Sequence, residues 1–148
     1  MDIQTYQLTV NDLLVENIIK LSTVIPSSDA SNKGGWQGVI TDQKIDWVEE
    51  LKNQIETITN KKTERFWFNI NGHGHSNNWH KHFLNCYAAV LYIKVPPQSG
   101  NIEFRKQDEI LSITPLVGQL LVFPGELEHR VTVNNSQDIR ISLATNLK

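Results

Sequence analysis

The sequence has a single cysteine and no long apolar run, and each absence excludes a class of protein. Cys86 is the only cysteine among 148 residues, so an internal disulfide and a paired-cysteine metal site are both excluded. No apolar run approaches the roughly 20 residues that a membrane-spanning helix needs. Met1–Val10 also lacks the basic and apolar stretches of a signal peptide. These features predict a cytoplasmic protein without a membrane partner.

The chain also lacks a large excess of charge of either sign. The chain has 14 Lys and Arg against 16 Asp and Glu, a formal net charge of -2. The basic residues are scattered along the chain, so nucleic acid is not an expected partner. A length of 148 residues suits one domain spanning residues 1–148. The oligomeric state is left open.

Helical periodicity marks the first part of the chain. Asn11 or Asp12 can cap a helix whose apolar residues recur at helical spacing until Pro26. A second helix fits Asp46–Asn60, where the apolar residues fall on one face. Both apolar stripes favour helices that pack against a sheet.

A polar segment separates the two predicted helices. Ser27–Gly38 is rich in Ser, Asn, Asp and Gly, and this composition predicts a loop. Trp36 is its only large side chain. Two interpretations are open for Trp36: the loop covers the mouth of a site, or the indole packs a helix against the sheet.

From Arg65 onward the chain shows short runs of aromatic and β-branched residues separated by turn residues, which predicts strands. The expected fold is mainly β, a sandwich or barrel in which the N-terminal helices pack outside one curved, largely antiparallel β unit. The predicted strands are Arg65–Ile70, Tyr87–Lys94, Asn101–Phe104, Gln119–Phe123, Glu128–Val133 and Asp138–Ala144.

Histidine is concentrated in one region. In an extended segment, residues i and i+2 point to the same face, so a His-x-His pair can present two imidazoles to one ion. Neutral imidazoles suit Fe(II), Mn(II), Zn(II) or Cu(II). Exposed loop histidines that bind nothing would give the same pattern. The five histidines are His73, His75, His80, His82 and His129.

The last predicted strand carries an arginine and a serine on one face. Arg140 and Ser142 alternate with Ile139, Ile141 and Leu143, so the two polar residues share a face opposite the apolar ones. An arginine on an inward face needs an anion, and its planar fork matches a carboxylate. If this face points to solvent instead, Arg140 and Ser142 do not indicate a binding site for an anion.

Several motifs in order resemble one family, the 2-oxoglutarate- and Fe(II)-dependent oxygenases. The resemblance is greatest to small phage and bacterial proteins that have a His-x-His metal motif and are related to prolyl 4-hydroxylases. It extends over nearly the whole chain and implies a mainly β fold, a double-stranded β-helix (jelly roll) with the N-terminal helices packed against the sheet. The motifs are Ser-Asn-Lys-Gly-Gly-Trp-Gln at 31–37, Asn-Trp-His-Lys-His at 78–82, the strand at 88–93, the strand at 99–104, Gly118–Pro124, Glu128–Val131 and Arg-Ile-Ser at 140–142.

The resemblance implies a metal site made of His80, His82 and His129. Most of the superfamily has Asp or Glu at the position of His82, whereas this chain has a third neutral imidazole, so the ion would keep its full charge of +2. His82 is therefore the ligand at which this chain departs from the usual pattern of the family. A register that uses His73 and His75, or a water in place of His82, stays open.

The resemblance also implies the binding site of the co-substrate. Arg140 and Ser142 match the Arg-x-Ser that binds the far carboxylate of 2-oxoglutarate, and Tyr92 would add a phenol to that clamp. The implied activity is that of a dioxygenase, an oxidoreductase that uses Fe(II), O2 and 2-oxoglutarate. It would hydroxylate an unidentified substrate and release succinate and CO2.

Two other functions fit part of the pattern. A cupin-like jelly roll that binds a metal or small ligand without redox chemistry would explain the missing acidic ligand. A zinc hydrolase would also use histidines, but the chain has no HExxH motif and no plainly placed general base. No feature of the sequence selects the substrate.

Overall fold

Two helices and eleven strands make up the computed structural model, which describes residues 1–148. The helices are α1 (Asp12–Leu21) and α2 (Asp46–Thr59). The strands are β1 (Gln4–Gln7), β2 (Asn32–Lys33), β3 (Trp36–Ile40), β4 (Thr63–Asn71), β5 (Ser76–His80), β6 (Tyr87–Lys94), β7 (Ile102–Lys106), β8 (Glu109–Ile113), β9 (Gln119–Pro124), β10 (Glu128–Val131) and β11 (Arg140–Leu147).

The strands form two antiparallel sheets. The larger sheet has six strands in the order β1-β9-β6-β11-β4-β3, and the smaller has five in the order β2-β5-β10-β7-β8. Strands that are distant in the chain are neighbours in both sheets, as in a jelly roll. The predicted fold class, mainly β with N-terminal helices packed on the sheet, is confirmed.

Both predicted helices are present, and both pack on the outer face of the larger sheet. Asn11 caps α1, with its side-chain oxygen accepting from the Leu14 amide at 2.9 Å. Helix α2 ends at Thr59 and is capped by Asn60, which takes the left-handed conformation at φ 54°. Ile18 of α1 and Ile55 of α2 are fully buried in the core that the helices share with the sheet. Neither helix is long and apolar enough to cross a membrane.

Alternation along β11 separates two cores. Ile141 and Leu143 pack into the core under the helices. Arg140 and Ser142 point the other way, into the space between the two sheets. A second apolar cluster, which includes Phe104 and Phe123, fills part of that space. The inner face of the larger sheet therefore presents polar side chains of β11 to the interior.

The segment Ser27–Gly38 is more regular than its composition predicts. It contains β2 and the start of β3, and these two strands belong to different sheets. Gly34 and Gly35, with φ values of 72° and 77°, turn the chain between the sheets. The composition could not reveal the strands because their hydrogen bonds come from β5 and β4, which are distant in sequence.

Trp36 packs rather than covers a site. Its indole contacts the core under the helices, and Nε1 donates to the Ile25 carbonyl at 2.8 Å. The interpretation in which this residue packs a helix against the sheet is therefore the correct one. Strands β1, β5 and β8 are further elements that the periodicity did not predict.

Candidate functional site

Three of the five histidines converge between the two sheets. His80 ends β5, His82 follows it in the connection to β6, and His129 lies in β10. One ring nitrogen of each lies within 4.8 Å of the others. His129 is buried, and the other two rings are half-buried. The structure thus brings together the three residues that the family resemblance implies as metal ligands.

A β-bulge aims His80 at this site. His129 pairs with His80 and Val131 pairs with Asn77, so three steps along β5 face two steps along β10. The extra residue shifts the alternation of β5. As a result Asn77 and His80, which are three positions apart, both line the interior cavity.

Oxygen acceptors hold the Nδ1 atom of each histidine. In His80 and in His129, Nδ1 lies 2.6 Å and 3.0 Å from the main-chain carbonyl oxygen two residues earlier. Nδ1 of His82 lies 2.6 Å from the side-chain oxygen of Asn146. Because each acceptor has only lone pairs to offer, each Nδ1 carries the proton and each Nε2 is free to bind a metal.

Burial keeps the three imidazoles neutral. Desolvation lowers the pKa of His80 and of His82, and it lowers the pKa of His129 to about 3. Neutral imidazole is the form that binds metal ions. The donor set, three nitrogens within reach of one another, therefore fits a divalent transition-metal ion.

The other His-x-His pair lies elsewhere. Nδ1 of His75 accepts from the Gly72 amide at 2.8 Å, inside the turn between β4 and β5. His73 is exposed, with Nδ1 3.1 Å from the Ser136 carbonyl oxygen. Neither residue is part of the cluster of possible metal ligands. The geometry thus favours the register of His80 and His82.

Arg140 is buried on the same inner face, at 2% exposure. Its Nη1 donates to the Ser99 carbonyl at 3.0 Å, but Nε has no partner. Burial lowers the pKa of this guanidinium, yet an arginine does not lose its proton in a protein. A buried cation with an unused donor fits an anionic ligand.

Tyr92 and Asn69 lie beside this arginine with unused polar atoms. Both residues pair with Ser142 across β11, one from each neighbouring strand. The Tyr92 hydroxyl and the Asn69 side-chain oxygen are buried without hydrogen-bond partners. Burial raises the pKa of Tyr92, and the charge of Arg140 opposes that rise, so the phenol is a neutral donor. The Tyr92 hydroxyl therefore fits the far carboxylate of a co-substrate, whereas the Asn69 oxygen is an acceptor and fits a donor group.

Gly100 leaves room for the guanidinium. It has φ 100°, which side chains rarely adopt, and a Cβ there would collide with the Thr132 carbonyl and lie 3.1 Å from Nη1 of Arg140. The turn before β7 therefore requires glycine for the arginine to reach its place.

Two neighbouring spaces lie around the histidines and share part of their lining. The interior cavity, between the triad and Arg140, is narrow at about 40 Å³, which is room for a few waters. A wider groove of about 710 Å³ lies outside the triad. Both are lined by His80, His82 and Trp67. A five-carbon diacid at Arg140 would therefore have to displace neighbouring side chains.

Some residues of the site were not predicted from the sequence. Asn146, Asn69 and Gln37 line these spaces, and no motif marks them. Asn146 could have been found by extending the alternation of Arg140 and Ser142 two steps further along the strand.

The comparisons with known proteins agree with this geometry. Residues 105–146 match the model of a family described as "Putative 2OG-Fe(II) oxygenase". That stretch includes His129, Arg140 and Ser142, but not the His-x-His pair. No protein with a curated description matches the chain in sequence.

Solved structures share the fold over almost the whole chain. A prolyl-4-hydroxylase of Pseudomonas putida is 16% identical, with a TM-score of 0.75, over 99% of this chain and 91% of that one. A viral collagen prolyl hydroxylase from Paramecium Bursaria Chlorella virus-1, a complex with 2-oxoglutarate, is 12% identical, with a TM-score of 0.71, over 98% and 94%. A Trichoplax adhaerens prolyl hydroxylase is 12% identical, with a TM-score of 0.77, over 98% and 82%.

The fold and the site thus have the form of a 2-oxoglutarate- and Fe(II)-dependent oxygenase. The matched family model confirms the resemblance drawn from the sequence motifs. The likeness to these oxygenases thus extends over residues 105–146 in sequence and over nearly the whole chain in fold, and the donor set of the site fits the metal and the co-substrate that the family name implies.

Proposed function

We propose that this chain, acting as one domain over residues 1–148, is an Fe(II)- and 2-oxoglutarate-dependent dioxygenase that hydroxylates a substrate and releases succinate and CO2. The observation that carries the proposal is one cavity lined by three neutral imidazoles and by a buried arginine with an unused donor. A protein that only bound a metal would have no use for that arginine. A cytoplasmic location is part of the proposal and agrees with the free thiol of Cys86.

The ligand set would be Nε2 of His80, His82 and His129. Three neutral ligands leave the charge of the ion uncompensated, so an anionic co-substrate is attracted to it. When bound, iron and 2-oxoglutarate supply the oxidising power that places an oxygen atom of O2 on a C–H bond.

The rest of the site would bind and orient the co-substrate. Arg140 would hold its far carboxylate, with Ser142 and the Tyr92 hydroxyl as additional donors. Phe104 and Phe123 pack against the ring of His129 at 6.2 Å and 4.8 Å between centroids. These aromatic walls limit water near the reacting atoms.

An anaerobic titration tests the proposal. Adding 2-oxoglutarate to protein loaded with Fe(II) should produce the weak visible absorption of the iron chelate, and admitting O2 should then yield succinate. Metal binding with neither absorption nor succinate would favour the cupin-like alternative, a jelly roll that binds metal without redox chemistry.

A further inference from the structure

The groove outside the triad is lined by cations and by no acid. Two of its lining residues, Arg65 and Lys81, are basic, and no Asp or Glu lines it. Both basic side chains are exposed, and neither takes part in any of the six ion pairs of the molecule. In a chain of net charge -2, two unpaired cations in an acid-free groove create a local positive field.

Arg65 is too far from Arg140 to bind the same anion. Both lie on the inner face of the larger sheet, but Arg65 is six positions along β4 from Asn71, the residue that pairs with Arg140. At roughly 3.3 Å per residue, six positions span about 20 Å. A five-carbon diacid held by Arg140 is much shorter than that. The two arginines therefore line different spaces, Arg140 the interior cavity and Arg65 the groove, and His80 and His82 line both.

Apolar surface lies beside these cations. The indole of Trp67 stacks on the ring of His82, with centroids 5.6 Å apart and planes 18° apart. Phe83 follows at the rim with 68% of its surface exposed. Trp79 offers less free apolar surface, because the guanidinium groups of Arg105 and Arg130 lie over its ring at 4.2 Å and 4.8 Å. Trp67 and Phe83 thus offer an apolar surface next to the metal ligands.

We propose that this groove binds the primary substrate and that the substrate is a small organic anion with an apolar or aromatic part. The inference rests on the proposed function, since it identifies the groove as the approach to the metal. Arg65 and Lys81 hold the carboxylate or phosphate, and Trp67 and Phe83 contact the apolar part. A volume of about 710 Å³ suits a small molecule.

The test compares ligands with a shared phenyl group and an anionic, neutral or cationic end group. Protein loaded anaerobically with Fe(II) and 2-oxoglutarate is titrated by calorimetry with 3-phenylpropionate, 3-phenylpropionamide and 3-phenylpropylamine. Phenyl phosphate, compared with 3-phenylpropionate, distinguishes a phosphate group from a carboxylate. We expect the anions to bind about tenfold more tightly than the amide and the amine, since two charged contacts contribute about 1.4 kcal/mol or more.

Variants test whether the preference for anions comes from the groove. A double variant, Arg65→Gln with Lys81→Gln, should lower the affinity for the anions by about tenfold and leave the affinity for the amide unchanged. Lys44→Gln is the matched control, because Lys44 is also exposed and unpaired but lies outside the groove. It should behave as the wild type does.

Four results would overturn the inference: preference for the amide or the amine, equal binding of all ligands, no binding of either anion at millimolar concentration, or unchanged anion affinity in the double variant. The absorption of the iron chelate, recorded in the same samples, reports separately on the proposed function. If that absorption is missing, titration of the metal-free protein and its double variant still decides whether the groove selects anions.

Discussion

Nδ1 of His82 lies 2.6 Å from the side-chain oxygen of Asn146, and this is the only side chain that hydrogen-bonds a histidine of the triad. The other two histidines use main-chain carbonyls, which substitution of the side chain does not remove. The third imidazole, at the position where most of the superfamily has a carboxylate, thus depends on one asparagine in β11.

Replacing Asn146 should weaken metal binding. Asn146→Ala frees the His82 ring to rotate and to change tautomer, and loss of such a supporting hydrogen bond typically costs about 10- to 100-fold in metal affinity. Asn146→Asp keeps an oxygen acceptor and should restore most of the affinity. Asn78→Ala is the control, because His80 is held by the main-chain carbonyl of that residue. Competition with a chelator measures all three, and wild-type affinity in Asn146→Ala would contradict the role.

The triad should be essential for the metal, and the outer histidines dispensable. His80→Ala, His82→Ala and His129→Ala each remove one of three ligands, so each should reduce Fe(II) affinity by more than the roughly 10- to 100-fold typical of supporting residues. The matched substitutions His73→Ala and His75→Ala should leave it nearly unchanged. The metal content of each variant, measured after dialysis, compares the triad variants with the outer ones. Loss of metal only in the outer pair would show that the other register is correct.

Substitution of Arg140 should separate co-substrate binding from metal binding. Arg140→Ala removes both the charge and the fork, so the affinity for 2-oxoglutarate should fall by about a hundredfold, while Fe(II) still binds. Arg140→Lys keeps the charge and should lose less. Calorimetric titration of 2-oxoglutarate into the iron-loaded variants measures both effects. Circular dichroism checks the fold, because the side chain is buried. Equal affinity in wild type and Arg140→Ala would refute the clamp.

The metal-free protein should lose stability as the pH falls below about 6.5, the ordinary pKa of histidine. Burial lowers the pKa of His129 to about 3 in the folded state. Between these values the unfolded chain binds more protons, so the free energy of unfolding decreases with falling pH, by an amount on the order of a few kcal/mol. Urea unfolding in the presence of a chelator, repeated at several pH values, measures this decrease in the free energy of unfolding.

The variant His129→Asn serves as the reference for that experiment, since asparagine does not titrate. Carboxylates titrate in the same range in both proteins, so the difference between the two curves isolates the histidine. Parallel curves would show that His129 is as easily protonated in the folded protein as in the unfolded one.

The sequence by itself determined the helices and strands that depend only on the spacing of neighbouring residues. The apolar stripes of α1 and α2 and the capping Asn11 follow from helical periodicity, and β6 has the predicted bounds of Tyr87–Lys94. The alternation around Arg140 and Ser142 showed that the two share a face, because the period of a strand is two. The sequence alone left open whether that face points to solvent or to the interior.

Only the tertiary structure decided how the site is assembled, because its parts meet through long-range pairing. His80 reaches His129 through the pairing of β5 with β10, and a bulge in β5, which no residue pattern marks, aims the ring inward. Asn146 reaches His82 across 64 positions of the chain. The family resemblance thus implied His80, His82 and His129 as ligands, whereas their convergence and their support depend on strand pairing between segments that are distant in sequence.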